Sequence, residues 1–261
     1  MKIDLTGRTA LVTGSTSGIG FAVAAGFANA GADVVVNGRG KGRVDEAVEK
    51  LKQQTGSSKV TGVAADIATA EGADDLVANL PDVDILVNNT GIFEPKPVFE
   101  IPDEDWLRFF QVNVLSGIRL SRHYLPRMAE RGWGRAVFVS SESSTMIPSE
   151  MVHYGMTKTA QLSVARGFAQ EVAGTGVTVN TVLPGPTLTE GVRTFIAELY
   201  PELPWEQAER EFMANDRPTS LIKRLIRPEE IANLIVYTSS DLASATTGAA
   251  LRVEGGLLPV I

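Results

Sequence analysis

The sequence contains no cysteine and only two histidines in 261 residues. Without cysteine the chain forms no disulfide and no thiolate metal site, and two histidines are too few for a zinc cluster. No apolar run reaches the length of a membrane span, and no repeat or linker-like stretch is present. The composition therefore predicts no metal and a single domain over residues 1–261, long enough to bury one core.

Positive charge is also in the minority, since 24 Lys and Arg are set against 31 Asp and Glu for a net charge of −7. This balance disfavours nucleic acid and anionic membrane surfaces as partners. The first residues lead directly into an apolar run, so we expect no signal peptide and a cytoplasmic location.

Short apolar runs alternate with segments of helical length. Near-continuous runs rich in Val, Leu and Ala are typical of strands buried on both faces of a parallel sheet. We therefore expect an α/β fold, a Rossmann-type doubly wound seven-stranded parallel sheet with helices on both faces and a ligand site at the carboxyl ends of its strands. The expected strands are 9–13, 33–37, 59–65, 85–88, 136–140, 177–183 and 250–253, and the expected helices are about 18–30, 42–54, 69–79, 103–131, 152–174 and 228–239.

The stretch from about 184 to 228 interrupts this alternation with aromatic residues, acids and prolines. We predict two short amphipathic helices that form a substrate lid. The alternative is a surface insertion that packs its own aromatic side chains.

A glycine-rich turn follows the first predicted strand and opens a helix. Glycines let a backbone approach a pyrophosphate closely, and a helix N-terminus offers unpaired N–H groups to the anion. The Gly-x-x-x-Gly-x-Gly spacing is wider than that of the general dinucleotide fingerprint. The candidate coenzyme-binding residues here are Gly14, Ser15, Ser17, Gly18, Ile19 and Gly20.

A second group of residues indicates proton transfer. Tyr154 and Lys158 are four residues apart on a predicted helix and so share one face. The pKa of a free phenol is about 10, and a nearby ammonium lowers it. Ser141 precedes Tyr154 by thirteen residues and ends a predicted strand.

The order of these features is more specific than any one of them. The glycine-rich turn is followed by Asn88-Asn89-Thr90-Gly91, Asn113, Ser141, Tyr154, Lys158 and Pro184-Gly185. At these positions the chain resembles the short-chain dehydrogenase/reductase family, including its 3-oxoacyl-[acyl-carrier-protein] reductases, over nearly its whole length.

The resemblance implies a catalytic tetrad of Asn113, Ser141, Tyr154 and Lys158. Tyr154 would exchange a proton with the substrate oxygen, Ser141 would hold that oxygen, and Asn113 would anchor a water relay to Lys158. Tyr154 and Lys158 would also contact the coenzyme. The further coenzyme-binding residues it implies are Asp66, Ile67, Asn89, Gly91, Pro184, Gly185, Thr187 and Thr189.

Two positions near the expected coenzyme site carry alternatives. Gly38 stands where an acid would bind the ribose of NAD, and Arg39 after it offers a planar cation suited to a phosphate. This predicts NADP(H) rather than NAD(H), the alternative being solvated charges at a helix start. Asp66 fits either an adenine contact or a helix N-cap.

The expected function is an NADP(H)-dependent oxidoreductase that interconverts a small-molecule carbonyl and a secondary alcohol by hydride transfer, with Tyr154 as general acid/base. One alternative is a 3-oxoacyl-[acyl-carrier-protein] reductase, with Arg131 as a docking residue. Another is a non-catalytic sensor or scaffold that binds NADP(H). The resemblance also implies a homotetramer or homodimer built on the helices near 103–131 and 152–174.

Further positions are expected to serve the surface or the pocket wall. His153 is expected at the surface or an interface, and Glu142 and Glu150 are expected to be solvated. The candidate apolar pocket walls are Phe93, Met146, Ile147 and Met151.

Overall fold

The computed structural model describes residues 3–260 and contains a seven-stranded sheet. The strands are β1 Thr9–Val12, β2 Asp33–Gly38, β3 Val60–Ala64, β4 Ile85–Asn88, β5 Gly134–Val139, β6 Val177–Pro184 and β7 Ala250–Val253. Their order in the sheet is β3-β2-β1-β4-β5-β6-β7. All neighbouring strands are parallel, and β1 lies between β2 and β4, with Val12 paired to Val36 on one side and Val87 on the other. This confirms the doubly wound, Rossmann-type sheet.

Helices cover both faces of this sheet because its strands are apolar on both sides. In β1, Ala10 and Val12 face one core and Leu11 faces the other, as the period of two requires. The helices are α1 Gly18–Asn29, α2 Lys41–Thr55, α3 Ala70–Asn79, α4 Asp103–Phe110, α5 Ser116–Glu130, α6 Val152–Glu171, α7 Glu190–Leu199, α8 Trp205–Asn215 and α9 Pro228–Thr238. The first core is closed by α1, α2 and α9, and the second by α3, α5 and α6.

The expected single helix over 103–131 is wrong in one respect. The α-helical pattern is interrupted by a π-helical turn at Gln111–Leu115, which separates α4 from α5. The extra residue in such a turn removes carbonyls from the regular hydrogen-bond ladder, and Asn113 lies at its centre.

Two short helices, α7 and α8, lie in the segment from 184 to 228, as predicted. They enclose a small apolar cluster of their own, in which the rings of Phe195 and Phe212 meet edge to face at 6.2 Å. The segment lies beside the carboxyl ends of the strands, where Val192, Phe195 and Phe212 line a cavity. Among residues 3–260, no helix is long and apolar enough to cross a membrane.

Candidate active site

Two adjoining cavities open at the carboxyl edge of the sheet. The larger, about 680 Å³, lies over β1, β2 and β3, and the smaller, about 210 Å³, lies over β5 and β6 beside α6. They share Asn89, Gly91 and Ile92 from the end of β4. In a doubly wound sheet this is the crevice where a ligand binds.

The turn after β1 leaves no room for side chains at its glycines. Gly14 and Gly18 adopt positive φ angles of 60° and 57°, which favour glycine. A Cβ on Gly20 would lie 2.5 Å from the Gly14 carbonyl and 2.6 Å from the Asn89 amide. Asn89 Nδ2 fixes the turn by donating to the carbonyls of Thr13 and Gly14 at 2.9 and 3.1 Å.

The two serines of the turn have different positions. Ser15 is buried away from the cavity, where its hydroxyl donates to the Val12 carbonyl at 2.6 Å and accepts from Asn37 N at 3.1 Å. Ser17 lines the larger cavity at the N-cap of α1 and makes no capping side-chain bond within the described residues. The first amides of α1 are therefore available to a ligand, and Ser15 fastens β1 to β2.

The far rim of the larger cavity carries the predicted basic group. Gly38 ends β2, and a Cβ there would lie 2.7 Å from the Thr16 side chain, so an acid at this position would force a shift. Arg39 and Arg43 line the rim, and neither forms an ion pair within residues 3–260. Both cations are thus free to meet an anion.

Asp66 and Ile67 line the same cavity beyond β3. The alternative in which Asp66 caps the next helix is wrong. Thr69 is the N-cap of α3 and accepts from Gly72 N at 3.0 Å, while Asp66 Oδ1 accepts from Ala68 N at 3.2 Å in a local turn.

The smaller cavity brings together the three predicted reactive side chains. Ser141, at the end of β5, lines it together with Tyr154 and Lys158 from the first turns of α6. Lys158 Nζ lies 5.5 Å from the centre of the Tyr154 ring and donates to the Val139 carbonyl at 3.0 Å. The helical spacing therefore places the phenol and the ammonium over the same strand end.

Burial sets the proton affinities of this pair. It lowers the pKa of Lys158 to about 8, against an opposing effect of the Glu142 carboxylate. It raises the pKa of the Tyr154 phenol, an effect that Glu142 adds to and a hydrogen bond with Ser141 opposes. Without coenzyme, the Tyr154 phenol is therefore protonated at neutral pH.

Hydrogen bonds of its side chain and its main-chain carbonyl join Asn113 to α6, the helix that carries Tyr154 and Lys158. Its Oδ1 accepts from Ile92 N at 2.8 Å, and its Nδ2 donates to Thr157 Oγ1 at 3.0 Å. Gln161 Nε2 donates to the Asn113 carbonyl at 2.6 Å. These three bonds hold Asn113 between the end of β4 and α6, the helix that carries Lys158.

The segment after β6 forms the third wall. Pro184, Gly185, Thr187 and Thr189 all line the smaller cavity. Thr187 Oγ1 donates to the Gly185 carbonyl at 2.7 Å, and Thr189 caps α7 by accepting from Val192 N at 3.3 Å. These contacts fix the start of α7 beside the smaller cavity.

Known proteins match this chain over the residues that line both cavities. The family described as Enoyl-(Acyl carrier protein) reductase matches residues 14–258. The Bacillus subtilis protein named Uncharacterized oxidoreductase YvaG is 53% identical over 260 residues, covering 99% of this chain and 98% of its own. The chain belongs to the short-chain dehydrogenase/reductase family.

Further members of the short-chain dehydrogenase/reductase family match over the full length. D-beta-hydroxybutyrate dehydrogenase of Cupriavidus necator is 34% identical, with 97% of this chain and 98% of that protein covered. The crystal structure of L-sorbose reductase from Gluconobacter frateurii, complexed with NADPH and L-sorbose, is 33% identical, covers both chains completely and has a TM-score of 0.93. The chain is an oxidoreductase of this family.

A nicotinamide coenzyme, which this family uses, fits the larger cavity. The turn that would face its pyrophosphate admits no Cβ at Gly20, and no side chain among residues 3–260 caps the first amides of α1. The Thr90 hydroxyl is buried beside Gly14 and has no hydrogen-bond partner within residues 3–260. The donors present therefore suit a phosphate and ribose.

Several features of the site differ from the sequence-based expectations. Glu142, expected to be solvated, is 7% exposed and lines the smaller cavity, whereas Glu150 is exposed as expected. His153, expected at the surface or an interface, is instead buried within the chain, with its ring 4.0 Å from that of Phe109. Of the candidate pocket walls, Phe93 and Met151 line the smaller cavity and Met146 and Ile147 do not.

Arg217 is a charged lining residue of the smaller cavity that the sequence analysis did not single out. Arg217 lies just beyond α8 and lines the smaller cavity together with Glu142. The positive charge of Arg217 lowers the pKa of the Glu142 carboxyl, against the larger effect of burial. Nothing local distinguishes Arg217 from other surface arginines. Only the packing of the 184–228 segment places it here.

Proposed function

We propose that the protein is an NADP(H)-dependent oxidoreductase that interconverts a small carbonyl compound and a secondary alcohol. The observation that carries this proposal is the convergence of Ser141, Tyr154 and Lys158 on one cavity that adjoins the glycine turn. When bound, the coenzyme supplies or accepts the hydride at the substrate carbon.

The side chains of the smaller cavity manage the proton. In the reductive direction, Ser141 holds the carbonyl oxygen and the Tyr154 hydroxyl gives its proton to that oxygen, which completes the alcohol. The Lys158 ammonium stabilises the phenolate that remains. In the oxidative direction, Tyr154 takes the proton back. Asn113 positions Lys158 through the water relay expected in this family.

The choice of NADP(H) rests on the rim of β2. Gly38 admits no acid without a shift, and Arg39 and Arg43 have no partner among the described residues. A guanidinium is well suited to the phosphate that distinguishes NADP from NAD. The similarity to L-sorbose reductase complexed with NADPH supports the same choice.

A free small molecule is favoured over an acyl group on a carrier protein. Arg131, the candidate docking residue, donates to Asp82 Oδ1 at 2.7 Å and to the Val83 carbonyl at 2.6 Å. Its guanidinium is therefore engaged within the chain. We further propose that the 184–228 segment acts as the substrate lid, since its side chains line the smaller cavity.

A homotetramer or homodimer through the helices of 103–131 and 152–174 is part of the proposal. Phe99 is completely exposed and Leu107 of α4 is 65% exposed, so both present apolar surface that a second copy would cover. Light scattering coupled to gel filtration measures the subunit count directly.

The central test is fluorescence titration with NADPH and NADH, followed by turnover of a carbonyl panel with the preferred coenzyme. We expect tighter binding of NADPH and turnover of at least one ketone. Tyr154→Phe is expected to keep NADPH affinity while turnover falls about 100-fold or more, since general acid catalysis is worth that much. Tight NADPH binding without turnover of any carbonyl would instead support the sensor or scaffold.

A further inference from the structure

A buried carboxylate faces the reacting atoms in the smaller cavity. Glu142 is 7% exposed and forms no ion pair within the part of the chain that the structure describes. Burying a carboxylate is costly unless its oxygens accept hydrogen bonds. Burial also raises the pKa of Glu142, although the Ser141 hydroxyl and the charge of Arg217 oppose that rise.

The hydrogen bonds of Glu142 depend on the catalytic serine. Its Oε2 accepts from Ser141 Oγ at 2.5 Å, and its Oε1 accepts from Ser143 Oγ at a longer 3.4 Å. A carboxylate has about four lone-pair sites, so acceptor capacity remains. The Ser141 hydroxyl, however, has a single proton to give.

This shared proton creates a conflict when a carbonyl compound binds. If Ser141 turns its proton to the substrate oxygen, the carboxylate of Glu142 loses its shortest hydrogen bond while still buried. A substrate hydroxyl that donates to Glu142 would replace the lost bond. A plain ketone has no such donor and would leave the carboxylate short of a partner.

The distances place that hydroxyl on the carbon next to the carbonyl. Oxygen atoms on adjacent carbons lie roughly one hydrogen-bond length apart, about 2.8 Å. Ser141 Oγ and Glu142 Oε2 have a similar separation of 2.5 Å. A substrate that sets its carbonyl oxygen at Ser141 therefore brings a vicinal hydroxyl to Glu142.

We propose that Glu142 is a substrate-binding residue that accepts a hydrogen bond from a hydroxyl vicinal to the reacting carbon, so that the substrates are vicinal hydroxy ketones and the matching diols. This inference rests on the proposed oxidoreductase function. The negative charge of Glu142 disfavours an anionic group at the same place. Apolar side chains such as Phe93, Met151 and Phe212 enclose the rest of the substrate.

The test compares hydroxyacetone, methoxyacetone and acetone with NADPH. The methoxy compound keeps the oxygen and removes the donor, so the comparison isolates the proposed hydrogen bond. We expect kcat/KM for hydroxyacetone to exceed that for methoxyacetone by about 10- to 100-fold, the range of a hydrogen bond to a charged group. This comparison uses the unmodified protein and does not depend on a variant that folds.

Two substitutions assign the preference to Glu142. Glu142→Gln keeps the shape and removes the charge, and Glu142→Ala removes the acceptor. We expect the hydroxyacetone-to-methoxyacetone ratio to fall at least about fivefold in Glu142→Gln and to approach one in Glu142→Ala. Glu150→Gln, at an exposed position eight residues away, is the matched control and is expected to keep the ratio.

The outcomes separate this inference from the proposed function. Turnover of all three ketones with a ratio near one overturns the inference and leaves the oxidoreductase intact. An unchanged ratio in both Glu142 variants means that Glu142 only positions Ser141, which also overturns it. Absence of turnover on these ketones and on the wider carbonyl panel overturns the proposed function, and the inference falls with it.

Discussion

Gln161 donates its side-chain amide to the main-chain carbonyl of Asn113 at 2.6 Å, and so joins α6 to the centre of the π-helical turn. Gln161 is 2% exposed, and its Oε1 has no partner among residues 3–260. The bond links the helix that carries Tyr154 and Lys158 to the residue proposed to position Lys158.

Replacing Gln161 by Leu is expected to destabilise the fold. The buried Asn113 carbonyl would lose the hydrogen bond from Gln161, which costs about 1–3 kcal/mol. Chemical denaturation measures the change in the free energy of unfolding. Gln170→Leu, at an exposed position on the same helix, is expected to stay within about 0.5 kcal/mol of the unmodified protein. Equal effects at both positions would contradict a specific role for the Gln161 bond.

Gly20→Ala is expected to weaken NADPH binding. The new Cβ would meet the Gly14 carbonyl at 2.5 Å, and the backbone on both sides of the turn would have to move. We expect at least about a tenfold loss of affinity, since each hydrogen bond to a charged group is worth more than ~1.4 kcal/mol. Fluorescence titration provides the measurement.

Gly42→Ala in α2 is the control for that substitution. Nothing lies within 4 Å of a Cβ at Gly42, so alanine is expected to leave NADPH affinity unchanged. Alanine is also the better helix former, which adds up to about 1 kcal/mol of stability. If both variants bound NADPH equally well, the glycine turn would not be the pyrophosphate site.

Arg39→Asp is expected to reverse the coenzyme preference. The substitution removes a cation proposed to bind the phosphate of NADP and supplies an acid for the ribose of NAD. A change of about 10- to 100-fold in the NADPH-to-NADH affinity ratio corresponds to one charge-assisted contact. Lys41→Asp is the neighbouring control, because Lys41 already pairs with Asp45 at 2.6 Å and does not line the cavity. A tighter affinity for NADH in the unmodified protein would refute the Arg39 assignment.

The rate of carbonyl reduction is expected to fall as the pH rises through about 8, the value to which burial lowers the pKa of Lys158. Below that pH Lys158 is an ammonium that stabilises the developing Tyr154 phenolate, and above it the charge is lost. The profile of kcat/KM reports this group in the free protein. In Lys158→Arg the guanidinium stays charged, so any remaining activity should show no decline near that pH. An unchanged decline would assign the titration to another group.

Local sequence patterns were enough to predict most of the fold. Each expected strand lies within about two residues of an observed one. The five inner strands β1, β2, β4, β5 and β6 are buried, and a buried parallel strand is a continuous apolar run that can be recognised from its own sequence. The π-helical turn was missed because apolar periodicity continues through it. Whether Asp66 or Thr69 caps α3 depended on where the helix begins, which sequence patterns place only to within a few residues.

The burial of polar side chains could not be predicted in the same way. His153 has the orientation that helical geometry gives it, but Trp106 and Phe109 of the distant α4 region cover it. Glu142 is buried in the pocket that the 184–228 segment lines, and Arg217 comes from that segment. The side chains that surround His153, Glu142 and Arg217 come from segments distant in the sequence, so the local sequence pattern does not predict their burial.

The π-helical turn makes chain length at residues 111–115 more restrictive than residue identity. A helix turns by about 100° for each residue, so one further residue inserted here would rotate α5 against α4 by that angle. Phe109 and Tyr124, both fully buried on either side of the turn, could then no longer face the core together. Gln111 is exposed and is expected to accept substitution, whereas one residue inserted at the same place would disturb the core packing and the Asn113 site together.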